Sequence, residues 1–204
     1  VKLTQNLFRM TGDVRYADYY ERAMFNHILS TQHPEHGGYV YFTSARPAHY
    51  RVYSAPNSGM WCCVGTGMEN HGKYGEFIYT HTDDELYVNL FVASQLNWKE
   101  KKFVIKQETN FPSEETVRLT IDSRKAQTLK IKIRCPWWVK PGEMKVICKG
   151  KDYAVGAQPS SYIEIERRWK KGDVIEVTMP MTITVEELPN LPNYIAIMRG
   201  PILM

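Results

Sequence analysis

The chain has 204 residues, 43% hydrophobic and 24% charged, which is enough to bury a sizeable core and to form one or two domains. A formal charge of +4 is too small to argue for nucleic acid, and Lys99, Lys101, Lys102, Arg167, Arg168, Lys170 and Lys171 alternate with acids, as a solvated sheet face would. No apolar run approaches the roughly 18–20 residues of a membrane span, so no membrane partner is expected.

The chain opens with Val1 on a segment that already reads as helix and closes within an apolar run, Ile202-Leu203-Met204. A piece of a longer protein is therefore expected, and targeting signals say nothing about compartment; a bacterial periplasmic, secreted or cytoplasmic location stays open. Leu3, Leu7 and Met10 follow the i, i+4, i+7 spacing of a first helix that Gly12 ends. Asp13 caps a second helix over 14–31, with Ala17, Tyr20, Met24 and Ile28 on its apolar stripe, and His33-Pro34 ends it. Two short aromatic strands, 38–43 and 49–53, flank a turn at Ala45-Arg46-Pro47. A third helix over 62–79 contains Gly65, Gly67, Gly72 and Gly75, each costing roughly 1 kcal/mol in a helix, and so needs close packing or a ligand to support it.

After residue 82 the hydrophobic period changes to two. Strands are predicted at 86–92, 95–98, 102–109, 116–122, 128–134, 144–149, 162–166, 174–178, 181–187 and 194–199, with turn signals that include Pro189–Pro192. Leu129, Ile131 and Ile133 face one way, and Lys130, Lys132 and Arg134 the other. The fold class is α+β: helices over 1–82, then an antiparallel β-sandwich over 83–204 that could continue past the C-terminus.

Cys62 and Cys63 carry the strongest chemical signal. Adjacent cysteines rarely bond each other because the geometry is strained. They are thus buried thiols, partners of other cysteines, metal ligands or a nucleophile, and a helix N-terminus favours the thiolate that the last two roles need. Cys135 and Cys148 fall in sandwich strands as small buried hydrophobes or as a disulfide pair. Residues 67–74 resemble a phosphate-binding loop but put Tyr74 where a Ser or Thr would hold magnesium, and no buried strand precedes them. Tyr41, His49, Glu69 and His71 are candidate substrate-binding residues, because sugar hydroxyls take polar side chains of these types; for each, a structural role remains open. The aromatic richness, 5 Trp and 13 Tyr, fits either sugar stacking or a sandwich core.

Three segments, ERAMFNHILSTQHPEHGGYVYFTSARPAHYRVYS, MWCCVGTGMENHGKYGEFIY and DDELYVNLFVASQLNW, resemble the bacterial β-L-arabinofuranosidases of glycoside hydrolase family 127 and its relative family 146, formerly a domain of unknown function. The resemblance implies the last helices of an (α/α)6 catalytic barrel followed by a β-sandwich. It implies Zn2+ as cofactor, Cys62 as nucleophile and zinc ligand, and Cys63 as a second ligand. It further implies retaining hydrolysis that releases L-arabinofuranose from glycans, with a glutamate as acid and then base. The family's Glu-x-Cys zinc ligands and its acid/base glutamate lie upstream of the segment that corresponds to Val1. The enzyme is therefore expected to be the parent protein, with this chain alone inactive. A non-catalytic carbohydrate-binding or architectural sandwich is the alternative, a redox or metal-storage role for the thiols is a third reading, and a second copy of the chain is a candidate partner.

Overall fold

The computed structural model describes residues 1–204 apart from Ala45, Pro47 and Pro56. The first helix, α1 (Lys2–Thr11), ends at Gly12, whose left-handed φ of 67° lets its N–H reach the Phe8 carbonyl at 2.7 Å. The face it buries is not the expected one. Leu3 and Met10 are 71% and 82% exposed, whereas Thr4, Gln5 and Phe8 are buried. Phe8 settles this orientation by meeting Phe77 edge-on at 5.2 Å, while Gln5 Nε2 donates to the Glu76 carbonyl.

Asp13 caps α2 (Val14–Ala23) by accepting from the Arg15 N–H at 3.0 Å, and Ala17, Tyr20 and Met24 point into the core as their spacing requires. The helix does not continue regularly to residue 31. Met24–Ile28 widens into a π-turn and Leu29–Thr31 tightens into a 3-10 turn. Asn26 gives the reason: its side-chain amide donates to the Arg22 carbonyl, which the ordinary i−4 ladder would have used, and also to the Pro201 carbonyl at 2.7 Å.

The two strands expected over 38–43 and 49–53 reduce to single bridges, Gln32 with Tyr39 and Val40 with Tyr53. The turn expected at Ala45-Arg46-Pro47 falls partly outside the described residues. The third helix, α3 (Cys62–His71), is shorter than expected. Gly72 ends it, and a separate turn, α4 (Gly75–Ile78), leads into β1 (Tyr79–His81). Among the described residues no helix is long and apolar enough to cross a membrane.

Short strands then follow in quick succession: β2 (Glu85–Val88), β3 (Ser94–Trp98), β4 (Phe103–Thr109), β5 (Thr116–Ile121), β6 (Gln127–Cys135) and β7 (Lys145–Cys148). After these come β8 (Lys151–Asp152), β9 (Ser161–Trp169), β10 (Val174–Thr178), β11 (Ile183–Leu188), β12 (Leu191–Arg199) and β13 (Ile202–Leu203). One sheet has the order β1-β2-β6-β9, and the facing sheet has the order β3-β4-β5-β10-β7-β8. All pairings are antiparallel except β2 with β6, which runs parallel from Glu85↔Lys130 to Val88↔Ile133. Between the sheets lies a core that includes Leu86, Phe103, Ile105, Leu119, Ile131, Ile165, Trp169 and Ile175. Cys135 and Cys148 are buried in it, and all four cysteines are free thiols, so the two sandwich cysteines form no disulfide.

A third sheet, β11-β12-β13, stands beside the sandwich. The turn signal at 189–192 is spent by Pro189-Asn190, with Asn190 at φ 61°, and Pro192 already lies in β12.

The outer face of β6 shows how the helical part docks. Lys130 and Lys132 pair there with Glu85 and Glu164 in partial contact with solvent. Arg134, next on the same face, is fully buried under α2. Its guanidinium donates to Asp18 at 2.6 Å, to Glu21 at 2.5 Å and to the Asn89 carbonyl at 2.6 Å. Trp138 Nε1 donates to the other Glu21 oxygen, and Ser160 Oγ donates to the other Asp18 oxygen. Every buried charge of this cluster thus has an ionic partner and a further hydrogen bond.

Candidate active site

α3 begins at Cys62 with Trp61 as its N-cap, and no side chain caps the first turn. The Val64 N–H turns back to the Trp61 carbonyl at 3.0 Å, and the N–H groups of Cys62 and Cys63 are left to act on what lies over the helix end. Gly67 lets the helix sit close to the crossing segment: a Cβ there would come within 2.5 Å of the Tyr39 ring. Gly65 and Gly75 have open space among the described residues where a Cβ would sit, so packing explains only one of the interior glycines.

The crossing segment is held firmly. Tyr39 donates its N–H to Ser54 Oγ at 3.0 Å and accepts from the Ser54 N–H at 2.9 Å, and the Val40 N–H donates to the Thr31 carbonyl. This places Tyr41 over the start of α3. Cys62 Sγ lies 3.9 Å from Tyr41 Oη and 3.8 Å from Cys63 Sγ. Cys62 is held below the usual thiol range, first by the hydrogen bond from Cys63, then by that from Tyr41, and further by the backbone N–H groups of Cys63 and of Cys62 itself. Cys63 and Tyr41 are pushed upward in turn, since each keeps its proton to donate to Cys62. Of the two adjacent thiols, Cys62 is the one poised to ionise.

Tyr41 and Trp61, the residues next to Cys62 in space and in sequence, also line an open cleft of about 680 Å³ with Phe42, Thr43, Ser44, His49, Tyr50 and Val52. Phe42 is 80% exposed and Tyr50 74%, so much of this aromatic surface faces solvent. Phe42, Tyr50 and Trp61 were not among the sequence candidates. The aromatic enrichment hinted at them, but only the fold separates a solvent-facing ring from a core ring.

The structure gathers Tyr41 and His49 at this cleft, His49 stacking on Tyr50 with its Nδ1 against the Tyr50 carbonyl at 2.8 Å. Glu69 and His71 are not brought there. Glu69 lies two turns along α3, roughly 10 Å of rise from Cys62, in an ion pair with Lys2 at 2.8 Å. His71 is near the far end of the helix, its Nδ1 donating to the Gly67 carbonyl at 2.8 Å and its ring set between Tyr39 and Tyr74.

The two cysteines suit a soft metal ion as a pair. Two thiolates at about 2.3 Å on a tetrahedral zinc stand about 3.8 Å apart, and the two sulfurs are separated by 3.8 Å. Among the described residues no group of three or more His, Cys, Asp or Glu side chains is disposed around one point. Cys62 and Cys63 therefore fit two positions of such a site.

Sequence models of known families match both parts of the chain. The catalytic domain of GH127 β-L-arabinofuranosidases matches residues 1–76, and the GH127 middle domain matches residues 85–181. No curated protein sequence matches. Among solved structures, a glycoside hydrolase is similar at 28% identity and a TM-score of 0.80, over 98% of this chain and 35% of its own. A GH127 β-arabinofuranosidase is similar at 26% identity and a TM-score of 0.84, over 98% of this chain and 34% of its own. A GH127 β-L-arabinofuranosidase from Geobacillus stearothermophilus T6 is similar at 26% identity and a TM-score of 0.74, over 98% and 34%. The chain spans about a third of the length of each of these structures. With both family models placed end to end along it and the same fold in all three structures, the chain belongs to the GH127 β-L-arabinofuranosidase family.

Proposed function

We propose that the complete protein is a retaining glycosidase that releases terminal β-L-arabinofuranose, with Cys62 as its nucleophile. The observation that carries this reading is the Cys62 sulfur itself, at a helix N-terminus without a side-chain cap, within hydrogen-bond range of the Tyr41 hydroxyl and the Cys63 thiol, with Tyr41 and Trp61 also lining an aromatic cleft. Family membership supports the sugar, and the aromatic cleft supports a furanose ring resting against apolar faces.

In the first step the thiolate attacks the anomeric carbon. The carbon–sulfur bond forms as the glycosidic carbon–oxygen bond breaks, and a carboxylic acid gives its proton to the departing oxygen. In the second step that carboxylate takes a proton from water. The water oxygen bonds to the anomeric carbon, and Cys62 leaves as thiolate. Two displacements at one carbon return the starting configuration. Tyr41 contributes by donating to the sulfur whenever it bears charge, before attack and after release, and Cys63 does so only in the metal-free protein, where it keeps its proton. A zinc ion bound by Cys62 and Cys63 would keep both sulfurs deprotonated and moderate the basicity of Cys62, making it a better leaving group. The remaining metal donors and the acid/base carboxylate belong, on this proposal, to parts of the family fold beyond the third that this chain spans.

Replacing Cys62 by Ala in the complete protein should lower turnover of an aryl β-L-arabinofuranoside by roughly 10³-fold or more, since the covalent step is lost. The wild type should transfer the sugar to methanol with the β configuration kept. Undiminished turnover by Cys62→Ala, or an inverted methyl glycoside, would refute the assignment. Loss of bound zinc on replacing Cys63 by Ser is the matching expectation for the metal.

A further inference from the structure

The sequence places Lys99, Lys101 and Lys102 among acids, as if on a neutralised sheet face, but the fold does otherwise. The turn between β3 and β4 carries these lysines to the loop before β6, where Arg124 and Lys125 sit, and to the β9–β10 turn, which adds Lys171. Together they line an open groove of about 860 Å³ at one end of the sandwich. The groove contains six cationic side chains and one carboxylate, Asp122. Lys171 pairs with Asp122 at 2.9 Å, and Lys101 pairs with Asp84 at 3.0 Å. Lys99, Lys102, Arg124 and Lys125 are exposed and have no carboxylate partner among the described residues.

The contrast with the β2-β6-β9 face is instructive. There Lys130 and Lys132 are each shared between Glu85 and Glu164, so the charge cancels locally. In the groove, four cations converge without cancellation, which costs self-repulsion and raises the local anion concentration. The groove also presents the amides of Gln95 and Asn97, which can donate to and accept from hydroxyl groups, and that of Gln127, whose Nε2 already donates to the Lys101 carbonyl at 3.1 Å and whose oxygen can accept. No aromatic ring lines it. Single-stranded nucleic acid is held by aromatic stacking as well as charge, so the lining does not suit it. Hydroxyl-rich polymers that bear carboxylates need cations and amides at spaced positions and no stacking platform.

We infer that this groove is a binding site for a carboxylate-bearing polysaccharide, a uronic-acid polymer, separate from the Cys62 cleft. It rests in part on the proposed glycosidase reading, since it supplies the means of holding a polymer from which terminal sugars are removed. Lys99, Lys102, Arg124 and Lys125 bind the carboxylates, and Gln95, Asn97 and Gln127 bind hydroxyl groups.

The test is direct binding to the complete protein, measured by calorimetry and independent of catalysis. The probes are polygalacturonate, the same polymer fully methyl-esterified, a neutral arabinan and single-stranded polyuridylate. Polygalacturonate should bind, with affinity falling as salt is raised, and esterification should remove most of the affinity. The Lys102→Glu, Arg124→Glu, Lys125→Glu variant should bind it roughly tenfold or more weakly, while turning over an aryl arabinofuranoside at the wild-type rate. Absence of polygalacturonate binding, equal binding of the esterified polymer or arabinan, or equal or tighter binding of polyuridylate would each overturn the inference. A protein that binds polygalacturonate in this way yet releases no arabinose would refute the glycosidase reading and leave the groove standing.

Discussion

The Cys62 thiol is held below its usual range by the groups around its sulfur, Cys63 first and Tyr41 next. Tyr41 Oη, 3.9 Å away, is the donor that comes from outside the helix, and replacing Tyr41 by Phe removes it with little change of shape. Because the hydrogen bond stabilises the charged sulfur, its loss must raise the Cys62 pKa. The alkylation rate of Cys62 by iodoacetamide in metal-stripped protein should then climb at higher pH in Tyr41→Phe than in wild type, read by peptide mass spectrometry across a pH series. An unchanged profile would mean that Cys63 and the helix N–H groups suffice. The sequence did show two adjacent thiols at the start of a helix, which is why reactivity could be read from them. It could not show that Tyr41 reaches the sulfur, since that contact is fixed by the single bridge between Val40 and Tyr53 and by Ser54 on the Tyr39 backbone.

At the scale of the element, the glycines of α3 separate two effects that the sequence runs together. Gly67→Ala places a Cβ within 2.5 Å of the Tyr39 ring, which is buried, with its hydroxyl accepting from Gln32 at 3.0 Å, and cannot easily withdraw. Overpacking there should outweigh the better helix propensity of Ala and destabilise by about 1–2 kcal/mol. Gly65→Ala meets nothing within 4 Å among the described residues, and should stabilise by up to about 1 kcal/mol through propensity alone. Thermal unfolding of the two variants should therefore move in opposite directions, and a shared sign would contradict this account. The same limit explains α1. The spacing of Leu3, Leu7 and Met10 correctly indicates a helix, but periodicity does not say which face meets the neighbour. Phe8, between the rings of Phe77 and Tyr87, decides it. In the sandwich, by contrast, alternation in β6 suffices for Leu129, Ile131 and Ile133, because they face the opposing sheet and join its apolar core.

At the scale of the whole molecule, alternation fails at one residue, and that residue joins the two parts. Arg134 continues the outward series of Lys130 and Lys132, so the pattern assigns it to solvent. It is instead the fully buried centre of a network reaching Asp18 and Glu21 on α2 and the Asn89 carbonyl. The sequence gives no sign of this, because the partners lie 113 and 116 positions away. Arginine suits the position: its planar fork offers separate N–H groups to two carboxylates and a carbonyl, which an ammonium could not match in direction. The network adds little net stability over a well-packed apolar seam, but removing one member leaves the others buried and charged. Arg134→Met should therefore cost about 3–5 kcal/mol in chemical denaturation. Adding Asp18→Asn and Glu21→Gln to that variant should recover part of the loss, because the stranded charges go with it. A structural seam of this kind predicts that recovery, whereas a site tuned for chemistry would show no relief from neutralising its carboxylates. If Arg134→Met costs less than about 1 kcal/mol, water reaches the seam and the helical part is not held to the sandwich through this cluster.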